Sequence, residues 1–150
     1  MKSKNQSKTG RKTEGVFKFA SVFLLFFLCM NAFGQENMEK IAEKLAQEQL
    51  DAYNNRDIEA FVLPYAENVK VFNFPAELLY EGRDKMYDLY GRMFVRTPDL
   101  HCKLVNRIVM GNTVIDHEEV TRQKGEPPMK ALAIYKIKDG KIAEVYFVRE

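Results

Sequence analysis

The sequence predicts an α+β domain in which three N-terminal helices pack on one face of a strongly curved antiparallel sheet. In the N-terminal half, apolar residues recur at helical spacing in three segments. In the C-terminal half, apolar and polar residues alternate over four segments separated by turn residues. Helices followed by a run of strands are typical of this class, since each layer buries its apolar face against the other. The 150 residues leave room for one such domain, over residues 35–150.

Residues 1–34 have the composition of a secretory signal peptide. Six basic side chains precede the apolar run Phe19–Met30, and a run of roughly 10–14 residues is short for a permanent membrane span. Ala32 and Gly34 supply the small residues needed for cleavage after Gly34. We therefore expect export to the periplasm or the exterior, without a membrane anchor after cleavage. The alternatives are an uncleaved anchor and a lipoprotein modified at Cys29, although bulky residues before this cysteine fit a lipobox poorly.

The basic charge of the chain is concentrated in this leading segment. Residues 1–34 hold six of the 23 Lys and Arg side chains but one of the 21 Asp and Glu, so the rest carries three more acids than bases. Nothing in this balance indicates a nucleic-acid partner. Cys102 is the single cysteine of the remaining chain, which excludes an internal disulfide and a thiolate metal cluster. No HExxH or comparable motif occurs, and we expect neither a metal nor a cofactor.

Two helices are predicted first. The first runs from Gln35 to Asn54-Asn55, and its apolar residues share one face. Asp57 is a natural N-cap for a short second helix. Pro64 ends that helix, because it lacks a donor and restricts the residue before it.

One strand, Val69–Phe74, is predicted before a third helix that lies between Gly82 and Pro98. Asp139-Gly140 is a strong two-residue hairpin signal between the last two of four further strands. These four strands cover Leu100–Val109, Thr113–Gln123, Met129–Lys138 and Lys141–Arg149. A bent sheet closed by helices leaves a cavity at its wide end, where ligands bind.

Four segments, in this order and spacing, resemble the nuclear transport factor 2-like, or SnoaL-like, family. They are the elbow between two helices (Leu50–Phe61), the acidic turn before the first strand (Tyr65–Val69), the start of the third helix (Tyr80–Arg83) and the final hairpin (Ala133–Ile142). The resemblance covers residues 37–150 and implies a cone-shaped fold around one ligand pocket, commonly as a homodimer. The family includes ketosteroid isomerases, limonene epoxide hydrolases, polyketide cyclases and proteins that only bind, so function must be argued from the site.

The catalytic residues of two such enzymes are missing. By resemblance to ketosteroid isomerase, Gln49 stands where the Tyr donor is expected, Asn73 where the Asp base is expected, and the second donor falls near Lys130. An amide cannot abstract a proton at neutral pH, so this mechanism is not expected. The Asp–Arg–Asp set of the epoxide hydrolases is also absent, since its positions fall at Glu119, Thr121 and near Phe147.

Other polar residues are candidates for a pocket. Gln49 interrupts the apolar stripe between Leu45 and Tyr53, and a buried amide requires hydrogen-bond partners. Gln49 could instead lie at the edge of the core or bond to the backbone. A tyrosine could donate a phenolic hydrogen bond to a ligand oxygen. The predicted ligand-binding residues are Gln49, Tyr53, Asn73, Tyr90 and Tyr135.

The strand over residues 113–123 offers two alternative faces. His117 and Glu119 share one face, and Asp116 and Glu118 share the other. Periodicity does not decide between them, but the epoxide-hydrolase resemblance favours the face of His117 and Glu119. These two residues could then act as a general base and its acidic partner. The alternative is a solvated strand of mixed charge.

Three functions remain open on the sequence alone. The first is the binding of a small apolar ligand without chemistry, favoured by amides at the positions of acids and bases. The second is a cofactor-independent isomerase, cyclase or hydratase that uses the His117 and Glu119 pair on a small hydrophobic or carbonyl-bearing molecule. The third is an interaction module that dimerises through the outer face of the sheet.

Overall fold

The computed structural model describes residues 36–149, so the expected signal peptide lies outside the described residues. These residues form three helices and six strands, in the order α1 (residues 36–55), α2 (Ile58–Val62), β1 (Tyr65–Asn73), β2 (Glu77–Glu81), α3 (Arg83–Arg96), β3 (His101–Met110), β4 (Thr113–Thr121), β5 (Met129–Lys138) and β6 (Lys141–Arg149). Within the described part, no helix is both long and apolar enough to cross a membrane.

The elbow between α1 and α2 forms as the sequence predicts. The chain reverses at Arg56, whose φ of 57° lies in the left-handed region. The Asp57 N–H then donates to the Ala52 carbonyl at 3.0 Å. The Asp57 side chain caps α2 by accepting a hydrogen bond from the Ala60 N–H at 3.0 Å. The elbow lets α1 and α2 both turn apolar residues toward the sheet.

The six strands form one curved, unclosed sheet in the order β2-β1-β6-β5-β4-β3. The α+β class is confirmed, and four of the five strand pairs are antiparallel as expected. The pair β1–β6 is parallel, with Phe72 opposite Tyr146. A parallel pair needs a long crossover, and the chain between β1 and β6 supplies it through α3 and the intervening strands.

Strand β2 was not predicted from the sequence. It pairs with β1 through a turn that contains the cis Phe74–Pro75 bond. Four of its five residues are exposed and Tyr80 is half-buried, so the strand carries no alternating pattern. The segment expected as an acidic turn also differs, because β1 already begins at Tyr65.

The core lies between the helices and the inner face of the sheet. Buried residues of α1, α2 and α3 pack there against alternate residues of the strands. At the edge strand β3, Asn54 of α1 pairs with the backbone of Cys102: its Oδ1 accepts from the N–H at 2.7 Å and its Nδ2 donates to the carbonyl at 2.9 Å. These bonds fix the end of α1 beside β3, next to the cavity described below.

Candidate functional site

A cavity of about 110 Å³ lies between the helices and the inner face of the sheet. Nine of its sixteen lining residues are buried, whereas Arg122 and Arg149 are exposed and mark its mouth. The lining residues are Gln49, Leu50, Tyr53, Phe61, Tyr65, Tyr90, Met93, Cys102, Glu118, Val120, Arg122, Met129, Ala131, Tyr135, Phe147 and Arg149.

Strand β4 directs a carboxyl group into this cavity. Its burial alternates strictly, with Val114, Asp116, Glu118 and Val120 on the inner face. Glu118 lines the cavity and is 6% exposed. A carboxyl group buried to this extent needs hydrogen-bond partners, or its charged form becomes costly.

Three further residues connect Glu118 to the deep end of the cavity through hydrogen bonds. The Tyr135 hydroxyl donates to Glu118 Oε1 at 3.3 Å and accepts from Gln49 Nε2 at 3.0 Å. The Tyr65 hydroxyl donates to Gln49 Oε1 at 3.2 Å, and Gln49 Nε2 also donates to the Ala46 carbonyl at 3.1 Å. Both amide atoms of Gln49 are therefore satisfied, and Tyr135 has its single proton committed to Glu118.

The surroundings of Glu118 raise its pKa to about 7. Burial is the largest cause and the nearby Asp116 carboxylate adds to it. Hydrogen bonds from Tyr135 and from the Cys102 thiol, together with the charge of Arg107, act in the opposite direction. A carboxyl with a pKa near neutrality can both accept and donate a proton under ordinary conditions.

A buried ion pair lies beside this carboxyl. Arg107 of β3 donates from Nε and Nη2 to the two carboxylate oxygens of Asp116, both at 2.7 Å. Its Nη1 donates to Gln47 Oε1 of α1 at 2.9 Å. Asp116 is fully buried, so this bidentate pairing is what offsets the desolvation of its charge. The pair also raises the pKa of Arg107, which remains charged.

Aromatic rings form the opposite wall of the cavity. Phe61 and Tyr90 are in contact at a centroid distance of 4.5 Å, and Tyr53 packs edge-on to Tyr90 at 6.2 Å. Burial raises the pKa of Tyr90 to about 12, although Arg149 and Arg122 favour its charged form. Burial likewise raises the pKa of Tyr53 and Tyr65. Tyr53 and Tyr90 are therefore neutral phenols that can donate hydrogen bonds to a ligand.

The structure brings together four of the five residues that were predicted to bind a ligand. Gln49, Tyr53, Tyr90 and Tyr135 all line the cavity, and their role toward a ligand stays a prediction. Asn73 does not line it. This expectation is corrected, because Asn73 closes the β1–β2 hairpin, where its Nδ2 donates to Glu77 Oε2 at 3.1 Å.

His117 and Glu119 are not part of the cavity either. Both lie on the outer face of β4, and Glu119 Oε2 accepts from Lys103 Nζ at 3.0 Å. The expectation that their face turns inward is therefore corrected. The physical reason is that the carboxylates of the other face have buried partners: Arg107 binds Asp116, and Tyr135 binds Glu118.

Glu118, Arg122 and Arg149 line the cavity but were not among the residues predicted from the sequence. A signal for Glu118 was present, since its face of β4 begins and ends with valine whereas the other face begins and ends with threonine. The two arginines gave no such signal, because their place at the mouth depends on the curvature of the sheet. Within residues 36–149, no group of three or more His, Cys, Asp and Glu side chains is placed to hold a metal ion.

Comparison with known proteins supports the fold. The model of the SnoaL-like domain matches residues 46–145. A cystatin-fold protein from Novosphingobium aromaticivorans is 24% identical, with a TM-score of 0.66 over 72% of this chain and 97% of its own. A SnoaL-like protein from Burkholderia thailandensis is 18% identical, with a TM-score of 0.63 over 74% and 95%. An NTF2-like protein from Cytophaga hutchinsonii is 19% identical, with a TM-score of 0.61 over 73% and 89%. No curated protein matches the sequence significantly.

Proposed function

Because this chain belongs to the SnoaL-like domain family, we propose that its cavity binds a small, largely apolar, carbonyl-bearing molecule and that Glu118 transfers a proton to or from it. The observation that carries this proposal is the buried Glu118 carboxyl, which faces the cavity at the end of a hydrogen-bond chain. The fold alone hosts both enzymes and binding proteins, so the site decides between them.

The neighbours of Glu118 support an acid–base role. Its pKa of about 7 lets one side chain serve as base and then as acid within a single reaction. Tyr135 holds the carboxyl in place, and Gln49 holds Tyr135. Proton transfer of this kind needs no cofactor, and it suits isomerases, cyclases and hydratases that act next to a carbonyl group.

The size and lining of the cavity support the class of ligand. A benzene molecule fits an apolar cavity of about 150 Å³, so the 110 Å³ here suits a short chain, or part of a ring whose remainder reaches the mouth. The phenols of Tyr53 and Tyr90 lie opposite the sheet, where they could donate to a carbonyl oxygen. Binding of such a ligand without any chemistry is the competing proposal.

Proton exchange in heavy water tests the proposal. Phenylacetone and 2-indanone carry exchangeable protons beside a carbonyl, and proton NMR follows their loss. We expect the protein to accelerate exchange, and Glu118→Gln to reduce this acceleration by about 100-fold or more. Glu119→Gln, on the outer face of the same strand, is the matched control and should exchange normally. Equal rates for the Glu118→Gln variant and the unmodified protein would exclude Glu118 as the base. Ligand-induced shifts without exchange would favour binding alone.

A second copy of the chain is a further proposed partner. Ile108, Ile115, Ile134, Tyr146 and Phe72 stand opposite one another across five strands on the outer face of the sheet. Ile108 is 55% exposed, and an apolar row of this length favours an interface. Light scattering coupled to gel filtration should give the mass of a dimer, and Ile134→Glu should give that of a monomer. A monomeric unmodified protein would refute this proposal.

Export remains a proposal of the same kind. It rests on the basic and apolar pattern of residues 1–34. N-terminal sequencing of the protein produced by cells should begin at Gln35, after cleavage at Gly34. An intact Met1 in the cytoplasmic fraction would contradict it.

A further inference from the structure

Two guanidinium groups lie at the mouth of the cavity. Arg122 follows β4 and Arg149 ends β6, and both line the cavity while remaining exposed. Among the side chains of residues 36–149, neither arginine is within ion-pair distance of a carboxylate. Two like charges at the entrance of an apolar cavity attract an anionic group.

Arg149 is held over the cavity wall. Its guanidinium carbon lies 4.8 Å from the centre of the Phe147 ring, and Phe147 also lines the cavity. Stacking on an aromatic face orients a guanidinium while leaving its N–H donors available. The arrangement therefore presents a pre-oriented fork of donors to a group that enters the mouth.

The strand register places Arg149 and Glu118 in one row across the inner face. Glu118 is opposite Ala131 of β5, and Ala131 is opposite Arg149 of β6. Adjacent strands lie about 4.8 Å apart, so the backbones at the two ends of the row are about 10 Å apart. Ala131 has the smallest side chain that carries a Cβ, and it leaves space between the two charged groups.

The phenol of Tyr90 is influenced by all three charged groups. The Glu118 carboxylate raises its pKa, and the charges of Arg149 and Arg122 lower it. Tyr90, Glu118, Arg122 and Arg149 all line the same cavity.

We propose that the ligand is a carboxylic acid whose carboxylate is bound by Arg122 and Arg149, while its carbonyl-bearing apolar part lies over Ala131 and reaches Glu118. This inference rests on the proposed function and adds the substrate class to it. The planar fork of arginine matches a carboxylate with two parallel hydrogen bonds. The carboxylate stays at the mouth, where water and both arginines offset its charge, and the apolar part occupies the buried cavity.

Calorimetric titration with two isosteric probes tests this inference. Phenylacetate carries the carboxylate, and phenylacetamide replaces it with a neutral amide of the same shape. We expect phenylacetate to bind about tenfold more tightly than phenylacetamide, as charge-assisted hydrogen bonds imply. The double variant Arg122→Gln, Arg149→Gln should bind both probes equally. Arg96→Gln removes the same type of charge from α3, outside the cavity, and should keep the preference.

Equal affinity for both probes in the unmodified protein, or a preference that survives the double variant, would overturn the carboxylate site. Neither of these two results would affect the exchange test of Glu118, because that test uses neutral ketones. Failure of phenylacetate to bind at concentrations of about 10 mM, which corresponds to an affinity weaker than about 3 kcal/mol, would also overturn the inference.

Discussion

Replacing Glu118 with glutamine should change how the stability of the protein depends on pH. Burial raises the pKa of this carboxyl from 4.5 to about 7 in the folded state. Between these two values the folded protein keeps its proton while the unfolded chain has lost it. The protonated form therefore favours folding, and its contribution is fully present below pH 4.5 and lost as the pH rises through about 7. Glutamine is a neutral substitute for the protonated acid and has no such dependence.

The size of the change in the free energy of unfolding follows from the pKa shift of Glu118. Each pKa unit corresponds to about 1.4 kcal/mol, so the shift from 4.5 to about 7 amounts to about 3 kcal/mol across the whole range. Between pH 5 and pH 8 the expected loss is about 2–3 kcal/mol in the free energy of unfolding. That loss is a large fraction of the stability of a small domain, which is about 5–15 kcal/mol.

Urea denaturation followed by far-ultraviolet circular dichroism measures this effect. The free energy of unfolding is determined for the unmodified protein and for Glu118→Gln at several values between pH 5 and pH 8. Subtracting one curve from the other cancels the titration of every other group that both proteins share. We expect the difference to grow by about 2–3 kcal/mol toward pH 8, in favour of the glutamine variant.

Glu119→Gln provides the control. This carboxylate is adjacent in sequence but lies on the outer face of β4, and its bond to Lys103 lowers its pKa. A carboxylate with a lowered pKa stabilises the folded state above its unfolded pKa and loses this contribution only in acid. The free energy of unfolding of Glu119→Gln should therefore change with pH in parallel with that of the unmodified protein from pH 5 to pH 8. Parallel curves for Glu118→Gln as well would refute the reasoning about its buried carboxyl.

Three further substitutions test other parts of the site. Arg107→Met leaves Asp116 buried without its partner and should lower the free energy of unfolding by about 3–5 kcal/mol in urea denaturation. Tyr135→Phe removes a hydrogen bond that lowers the pKa of Glu118, so carbon NMR of this carboxyl should show its pKa rising above about 7. Ala131→Leu fills the floor of the cavity and should weaken phenylacetate binding by more than about tenfold in calorimetric titration, because buried core positions tolerate little added volume.

Each of these changes has a control in the same sheet. Lys103→Met breaks an exposed ion pair on the strand of Arg107 and should cost at most about 1 kcal/mol. Tyr146→Phe removes a hydroxyl that bonds to Glu144 outside the cavity, and the pKa of Glu118 should not change. Ala143→Leu lies outside the cavity and should leave phenylacetate binding intact. If a control variant gave the same change as its test variant, the role assigned to the tested residue would be refuted.

The fold was predictable from the sequence where local patterns are strong. The elbow at Asp57 and the turn at Asp139-Gly140 are set by capping and turn chemistry that a few residues determine. Strand β2 was missed because its exposed edge position needs no alternation. The parallel pairing of β1 with β6 was missed because it depends on residues far apart in the chain.

The candidate site was predictable only where a helix or a buried strand positions the residue. Gln49 was recognised because an amide on an apolar stripe of α1 requires a partner, and Tyr135 provides it. The sequence did not show which face of β4 turns inward, because both faces of this strand mix charged and apolar residues. Its orientation is determined by Arg107, which binds Asp116 from the neighbouring strand, and a single strand pattern does not contain that pairing.

The parallel pairing of β1 with β6 has a consequence for how the protein folds. Within residues 36–149, β1 is the first strand and β6 is the last, yet Phe72 lies beside Tyr146 in the finished sheet. The β1–β2 hairpin therefore has no neighbouring strand until residues 141–149 have been synthesised. Sheets that depend on such distant contacts fold slowly, and their unpaired edges are exposed meanwhile. Removal of β6 (Lys141–Arg149) would separate the sheet into two parts.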